Sequence, residues 1–374
     1  MKRMDTQPRA PGHATQGGPV GRSASNGEAQ AGMAHSAQPT GGVVRSGNNH
    51  AAAADPPLRP APPVHPADLQ QAAYTVARQA LGRPLTAASK TLLWTANETR
   101  KEALELLHHG RGNIESDVRG SEGSSLVRTE AYRRLRGSLP VVGMPDAEHR
   151  ALQAALAARG GAGNCAEFAE VSAHLHARHL KPGDRISRQQ VKGLDHSWLR
   201  VQSGTPVGGE HCSGPAAILD AWADGPVVEP PDSRHAAGTA EPVNDAHWII
   251  GSRGPATFKA FEAAQEGSVV EGYARRLGLA ADRIKQGMKQ GEYVYCMAPI
   301  PVVSQGFTDS ARHAIDSSSP TTMQASAVDA LLESPARLTR EQAEAHAQTV
   351  VTLAKTLDVL QPDARSAFGR VGPD

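Results

Sequence analysis

No Phe, Trp or Tyr occurs before Tyr74, and the stretch up to residue 66 holds almost no Leu or Ile. It consists largely of Gly, Ala, Ser, Gln, Asn and Pro, and ends in the run Asp55-Pro56-Pro57-Leu58-Arg59-Pro60-Ala61-Pro62-Pro63. Such a segment cannot bury enough apolar surface to offset the entropy of ordering it. Residues 1–66 therefore read as a disordered leader, and the rest of the 374-residue chain must supply whatever folds. No apolar stretch follows the basic Met1-Lys2-Arg3 start, so the leader is not a Sec signal. It does not begin Met-Gly, so N-myristoylation is not expected.

The charge balance narrows the function. With 39 basic and 38 acidic residues the net charge is +1, which argues against a nucleic-acid or anionic-membrane surface. No stretch approaches eighteen apolar residues, so integral membrane association is not expected. Three cysteines rule out a disulfide scaffold and leave room for one reactive thiol.

Helical spacing begins near Asp68, with Leu69, Ala73, Val76 and Ala80, and stops before Gly82 and Pro84. A second helix is expected over about 87–109, a loop over 113–126, and further helices over 127–136 and from Pro145 to Gly160-Gly161. Strands are predicted at His196–Val201, Ala217–Trp222, Ala246–Ile250 and Tyr293–Met297, set between Gly/Pro-rich loops. Helical periodicity returns over the last sixty-odd residues, where Thr339-x-x-Gln342 resembles a capping box. There is no internal repeat. The order predicts an α+β fold: a leader over 1–66, a helical region over 67–158, a core over 159–305 and a helical region over 306–374.

The stretch Gly160-Gly161-Ala162-Gly163-Asn164-Cys165-Ala166-Glu167-Phe168 carries the chemistry. Asn164 with Glu167 fits a capping box, which puts Cys165 in the first turn of a helix. A thiol there sits among unpaired N–H groups at the positive end of the helix dipole, which favours thiolate. Asn164 and these N–H groups would support the nucleophile and an oxyanion, and the glycines would let a substrate approach. A buried packing cysteine is the bland alternative. Downstream, Asp195-His196-Ser197-Trp198-Leu199-Arg200-Val201 alternates as a strand with His196 and Trp198 on one face. In Ala217-Ile218-Leu219-Asp220-Ala221-Trp222, an aspartate inside an apolar strand needs a partner, and an imidazole N–H would serve. Cys165, His196 and Asp220 can thus form nucleophile, base and orienter.

That order, a helix-borne Cys, a strand His followed by Trp, then a strand Asp, resembles the transglutaminase-like (papain-like) superfamily of thiol enzymes. More narrowly, Gly163-Asn164-Cys165-Ala166-Glu167, Asp195-His196-Ser197-Trp198 and Ile218-Leu219-Asp220-Ala221-Trp222 resemble the HopX/AvrPphE family of type III effectors of plant pathogens. Asn97-Glu98-Thr99-Arg100-Lys101-Glu102 and Gly112-Asn113-Ile114-Glu115 add to that likeness. The resemblance implies the triad Cys165, His196 and Asp220, on a Cys-bearing helix packed against an antiparallel sheet. It implies a leader read by the type III secretion machinery and a chaperone, with delivery to the cytoplasm or nucleus of a plant cell. It also implies protease or transglutaminase-type action on host proteins, jasmonate-signalling repressors among them. No cofactor is implied.

Several rivals stay open. His247, in Asn244-Asp245-Ala246-His247-Trp248, mimics the His196 strand and could be the base. Asp224 is a fallback orienter, otherwise a turn residue before Gly225-Pro226, and Asp195 is expected to face solvent or a loop. His174, His176 and His179 cluster on the helix behind Cys165, but no Cys, Asp or Glu completes a metal site, so they read as surface histidines. Cys212 lies in a Gly-rich loop and Cys296 in an apolar strand; neither has such companions, and no phosphate-binding Gly motif follows a strand. The tryptophans read as core, although one beside the histidine could wall a thiol pocket. Two other functions compete with the thiol enzyme. One is an effector that sequesters a host protein through its helical flanks, and the other is acyl transfer to a small amine.

Overall fold

The computed structural model describes residues 64–139, 143–191, 196–204, 213–235, 242–287, 297–298 and 300–357. All but the last residues of the expected leader, and also Asp195, Cys212 and Cys296, lie outside them. The chain from Pro60 onward forms one compact unit.

Helix α1 (Pro66–Ala80) starts one residue after His65, whose ring nitrogen accepts from the Ala67 N–H, with Pro66 at the first helical position. Thr86 caps α2 (Ala87–Leu106). The expected loop over 113–126 is instead the short helix α3 (Glu115–Gly120) and the first turn of α4 (Ser124–Arg136). Helix α3 offers little apolar periodicity. Buried Val118 and the bond of Asp117 to Arg111 hold it in place. Two-residue strands β1 (Gly110–Arg111) and β2 (Ala162–Gly163) pair in parallel on either side of helix α5 (Asp146–Gly160) in the sequence.

Helix α6 (Cys165–Ala177) packs against α2, α5 and the sheet. The sheet contains β3 (Arg185–Val191), β4 (Ser197–Gln202), β5 (Ala216–Leu219) and β6 (Pro242–Ile250), all antiparallel, in the order β5-β4-β3-β6. Strand β3 is absent from the sequence reading because Arg-Ile-Ser-Arg-Gln-Gln-Val lacks an apolar pattern. Its central place comes from backbone pairing on both edges. Strand β5 is shorter than expected and ends before Asp220. Of the predicted strand Tyr293–Met297, only Met297 is described; it makes a single bridge to Ile114.

Two helices replace expected loops: α7 (Gly254–Glu266) and α8 (Ser268–Gly287), the latter burying Val270, Tyr273, Leu277 and Ala281 at helical spacing. The closing helices are α9 (Gln305–Asp316), α10 (Pro320–Leu332) and α11 (Arg340–Thr356), and the Thr339–Gln342 capping box forms as expected. The fold is thus mixed helix and antiparallel sheet. Two hydrophobic clusters fill it. One joins α1, α2, β4, β5 and α9–α11. The other gathers α4–α8 with Cys165 and Trp222.

The histidines behind Cys165 require correction. His174 and His176 are buried, because α6 is covered by α2, α5, α7 and the sheet. His174 Nδ1 meets the Glu170 carbonyl and His176 Nδ1 meets Thr99 Oγ1, each at 2.9 Å. Burial, aided by His179 and Arg178, holds His176 down to about 3 from 6.5. Between those values the unfolded chain takes up a proton that the folded chain refuses, so this contribution to stability is present above pH 6.5 and falls away on acidification. His176→Asn keeps a polar group at the Nδ1 position and removes the titration. Urea unfolding at pH 7 and pH 5 should show the wild type losing about 2 kcal/mol more than the variant. Equal losses would mean that His176 is not held neutral.

Candidate active site

Asn164 is the N-cap of α6, with extended backbone, and its N–H donates to Glu167 Oε2 at 2.8 Å, so Cys165 opens the helix as the capping pattern predicts. The glycines before it serve chain packing. Gly161 closes α5 at φ +71°, and a Cβ on Gly163 would stand 2.5 Å from Cβ of Glu167. Cys165 is a buried thiol within the helical cluster.

His196 directly precedes β4, and Asp220 directly follows β5, the strand paired with it. Their side chains meet, with His196 Nε2 2.6 Å from Asp220 Oδ2. The Ala223 N–H donates to the other carboxylate oxygen at 3.0 Å, so a tight turn holds Asp220. Burial opposes charge on His196, but Asp220, through charge and hydrogen bond, and Cys165, in the same two ways, raise the imidazole to about 10. Burial would likewise raise Asp220, yet His196 and His235 hold it well below the usual carboxylate range. Nδ1 of His196 is buried and finds no nitrogen or oxygen partner. Of the three residues singled out from the sequence, His196 and Asp220 are therefore joined side chain to side chain, and Cys165 acts on the same imidazole through its charge.

Two tryptophans wall that ring. Trp222 lies tilted at 4.8 Å between centroids, and Trp198 lies stacked at 5.7 Å. The Asn113 side chain accepts from Trp222 Nε1 at 3.1 Å, which gives the Gly112–Glu115 motif a place in the site. Arg111, also buried, forks onto Asp117 through Nε and Nη2, and its Nη1 reaches both the Trp222 carbonyl and Asp224. Asp224 is thus engaged by Arg111 rather than being the simple turn aspartate expected. It is a buried partner of Arg111 in a loop that pairs with Pro301. Arg100, wholly buried on α2, donates to Gln70 Oε1 and acts on Asp220 through charge, while burial lowers it to about 10.

His247 lies on β6, at the sheet edge opposite β5, so the backbone brings His196 rather than His247 to Asp220. The sequence reading missed His235, whose Nε2 stands 3.1 Å from the same Asp220 Oδ2 and whose ring stacks on Trp198 at 4.1 Å and 10°. Trp198 and Asp220, distant from each other in sequence, fix its ring, and the loop around His235 carries no periodic signal. Among the described residues, His196, Asp220 and His235 are the group whose ligand atoms lie close enough to hold a metal, within 4.8 Å of one another. Ligands about 2.0 Å from a tetrahedral ion sit roughly 3.3 Å apart, whereas these nitrogens stand 2.6 and 3.1 Å from the shared oxygen. That contracted spacing suits two N–H donors on one carboxylate.

Comparison of the chain with protein-family models, curated proteins and solved structures finds no match.

Taking the guanidinium away from two buried carboxylates and a carbonyl should be costly. Arg111→Met is expected to destabilise the fold by roughly 3–5 kcal/mol in urea unfolding. A loss below about 1 kcal/mol would show that Arg111 does not hold the Trp222–Asp224 loop.

Proposed function

We propose that the chain is a thiol enzyme in which Cys165 is the nucleophile, His196 its acid and base, and Asp220 the orienter of His196. One observation carries this reading: the buried His196 imidazole is bonded to Asp220 at 2.6 Å through Nε2, while its Nδ1 meets no nitrogen or oxygen. The α6 helix on an antiparallel sheet is compatible with the transglutaminase-like (papain-like) arrangement that the sequence resembles. With Nε2 committed to Asp220, Nδ1 is the nitrogen left to exchange a proton with the thiol.

The reaction follows from these roles. Cys165 thiolate attacks an amide carbonyl carbon, and the carbonyl electron pair moves onto oxygen, towards the N–H groups that open α6. The C–N bond then breaks as His196 Nδ1–H gives its proton to the leaving amine, and a thioester remains on Cys165. Water or an amine attacks the thioester, Nδ1 takes its proton, and the thiolate leaves. Asp220 keeps the imidazole in one tautomer throughout. With water the outcome is proteolysis or deamidation, and with an amine it is transfer. The resemblance extends the proposal to a type III effector of the HopX/AvrPphE kind that acts on host plant proteins in defence signalling, inside the host cell. Among the described residues no helix is long and apolar enough to cross a membrane.

The test reads the Cys165–His196 pair. Iodoacetamide labelling of each cysteine is followed by mass spectrometry across pH, alongside the ultraviolet thiolate band of wild type minus Cys165→Ala. Asp220 and the Cys165 side chain push the His196 imidazole up to about 10, so an active pair predicts labelling of Cys165 that depends on His196. At pH 6, Cys165 should outpace Cys212 and Cys296, and His196→Ala should slow it at least about tenfold. An ordinary thiol profile in both proteins, with no early thiolate band, would refute the pair.

A further inference from the structure

His235 is bound to the site by more than proximity. Its backbone N–H donates to Ser233 Oγ at 3.1 Å, and Ser233 pairs with Val303. The preceding turn, Pro230–Asp232, is fastened to α1, where the Tyr74 hydroxyl donates to Asp232 Oδ2 at 2.6 Å and Arg78 Nη1 reaches the same oxygen at 2.7 Å. The ring lies flat on Trp198 and its Nε2 meets Asp220. A loop side chain thus has its backbone, one ring face and one ring nitrogen all constrained, and the constrained nitrogen faces the carboxylate that orients the base.

We propose that His235 is a positioning residue of the thiol site, whose Nε2–H pins the Asp220 carboxylate so that it stays aligned with His196 while the imidazole proton moves. This rests on the thiol-enzyme reading above. A carboxylate held by one imidazole alone can rotate about its terminal torsion, which is broad and soft. Two further donors, the Ala223 N–H on Oδ1 and His235 on Oδ2, close off that rotation. His235 is not a second base, because its Nε2 is turned to Asp220. The other charges acting on Asp220 are Arg100 on α2 and Arg111 on β1, and Cys165 on α6 acts on His196; all are left intact by the test.

Two substitutions separate positioning from packing. His235→Gln carries an amide nitrogen at the reach of Nε2, while His235→Phe keeps a ring on Trp198 without a donor. Each is measured, with wild type, for the pH profile of Cys165 labelling by iodoacetamide, and for melting temperature. The expected result is a folded Phe variant whose labelling at pH 6 falls at least about tenfold and whose profile moves to higher pH, with the Gln variant within about threefold of wild type. If the Phe variant does not fold, His235→Asn takes its place, since its amide stops short of Asp220. A Phe or Asn profile matching wild type overturns the proposal, as does an equal fall in the Gln variant. A wild type whose Cys165 behaves as an ordinary thiol overturns the thiol reading itself, and this role with it.

Discussion

The site is organised by one buried anion. Asp220 Oδ2 takes His196 and His235 together, and Oδ1 takes the Ala223 N–H. A carboxylate removed from water stays charged only when donors replace the lost solvation, and here they hold its pKa below the ordinary range. The imidazole of His196, raised in turn to about 10, provides the matching charge. Without the anion the two imidazole rings, 5.2 Å apart between centroids, would face each other with nothing to receive their N–H groups. Trp198 and Trp222 then enclose the pair in a setting where such interactions count for more than in water.

The chain gathers this arrangement from distant parts. Tyr74 and Arg78 on α1 secure the turn that presents His235, and Arg111 on β1 secures the loop that presents Trp222. Cys165 and Trp222 belong to one hydrophobic cluster, while Trp198 and Leu219, next to the histidine and the aspartate, belong to the other. The placement of α6 relative to the histidine is therefore fixed by how the two clusters seat on each other, with α6 touching both helices and sheet. Close packing at that seam resists sliding.

What could be read from the sequence was local. Asn164 and Glu167 sit three residues apart, so the start of α6 and the position of Cys165 follow from a capping pattern alone. His196 and Asp220 stand out because each interrupts an apolar alternation, which marks a polar group in need of a partner. His235 interrupts nothing. Its importance comes from a carboxylate and a tryptophan fifteen or more residues away, and no periodicity encodes that. The same reason explains β3, a polar segment made central by pairing on both edges, and His174 and His176, whose burial is decided by neighbouring helices rather than by their own sequence. Asp224 resembled a turn aspartate because its partner, Arg111, lies 113 residues earlier.

On the proposed thiol-enzyme reading, two imidazoles on one carboxylate would suit acyl chemistry better than one. In that reading His196 gives its proton through Nδ1 while His235 stays bonded to the Asp220 carboxylate. When that proton leaves through Nδ1, the negative charge of Asp220 loses its closest compensation, and a carboxylate bonded to His196 alone would be free to turn towards other donors. The His235 and Ala223 N–H groups keep it where it is, at no reorganisation cost during the step. The next proton can then return to the same nitrogen in the same tautomer, which the second half of the acyl transfer requires.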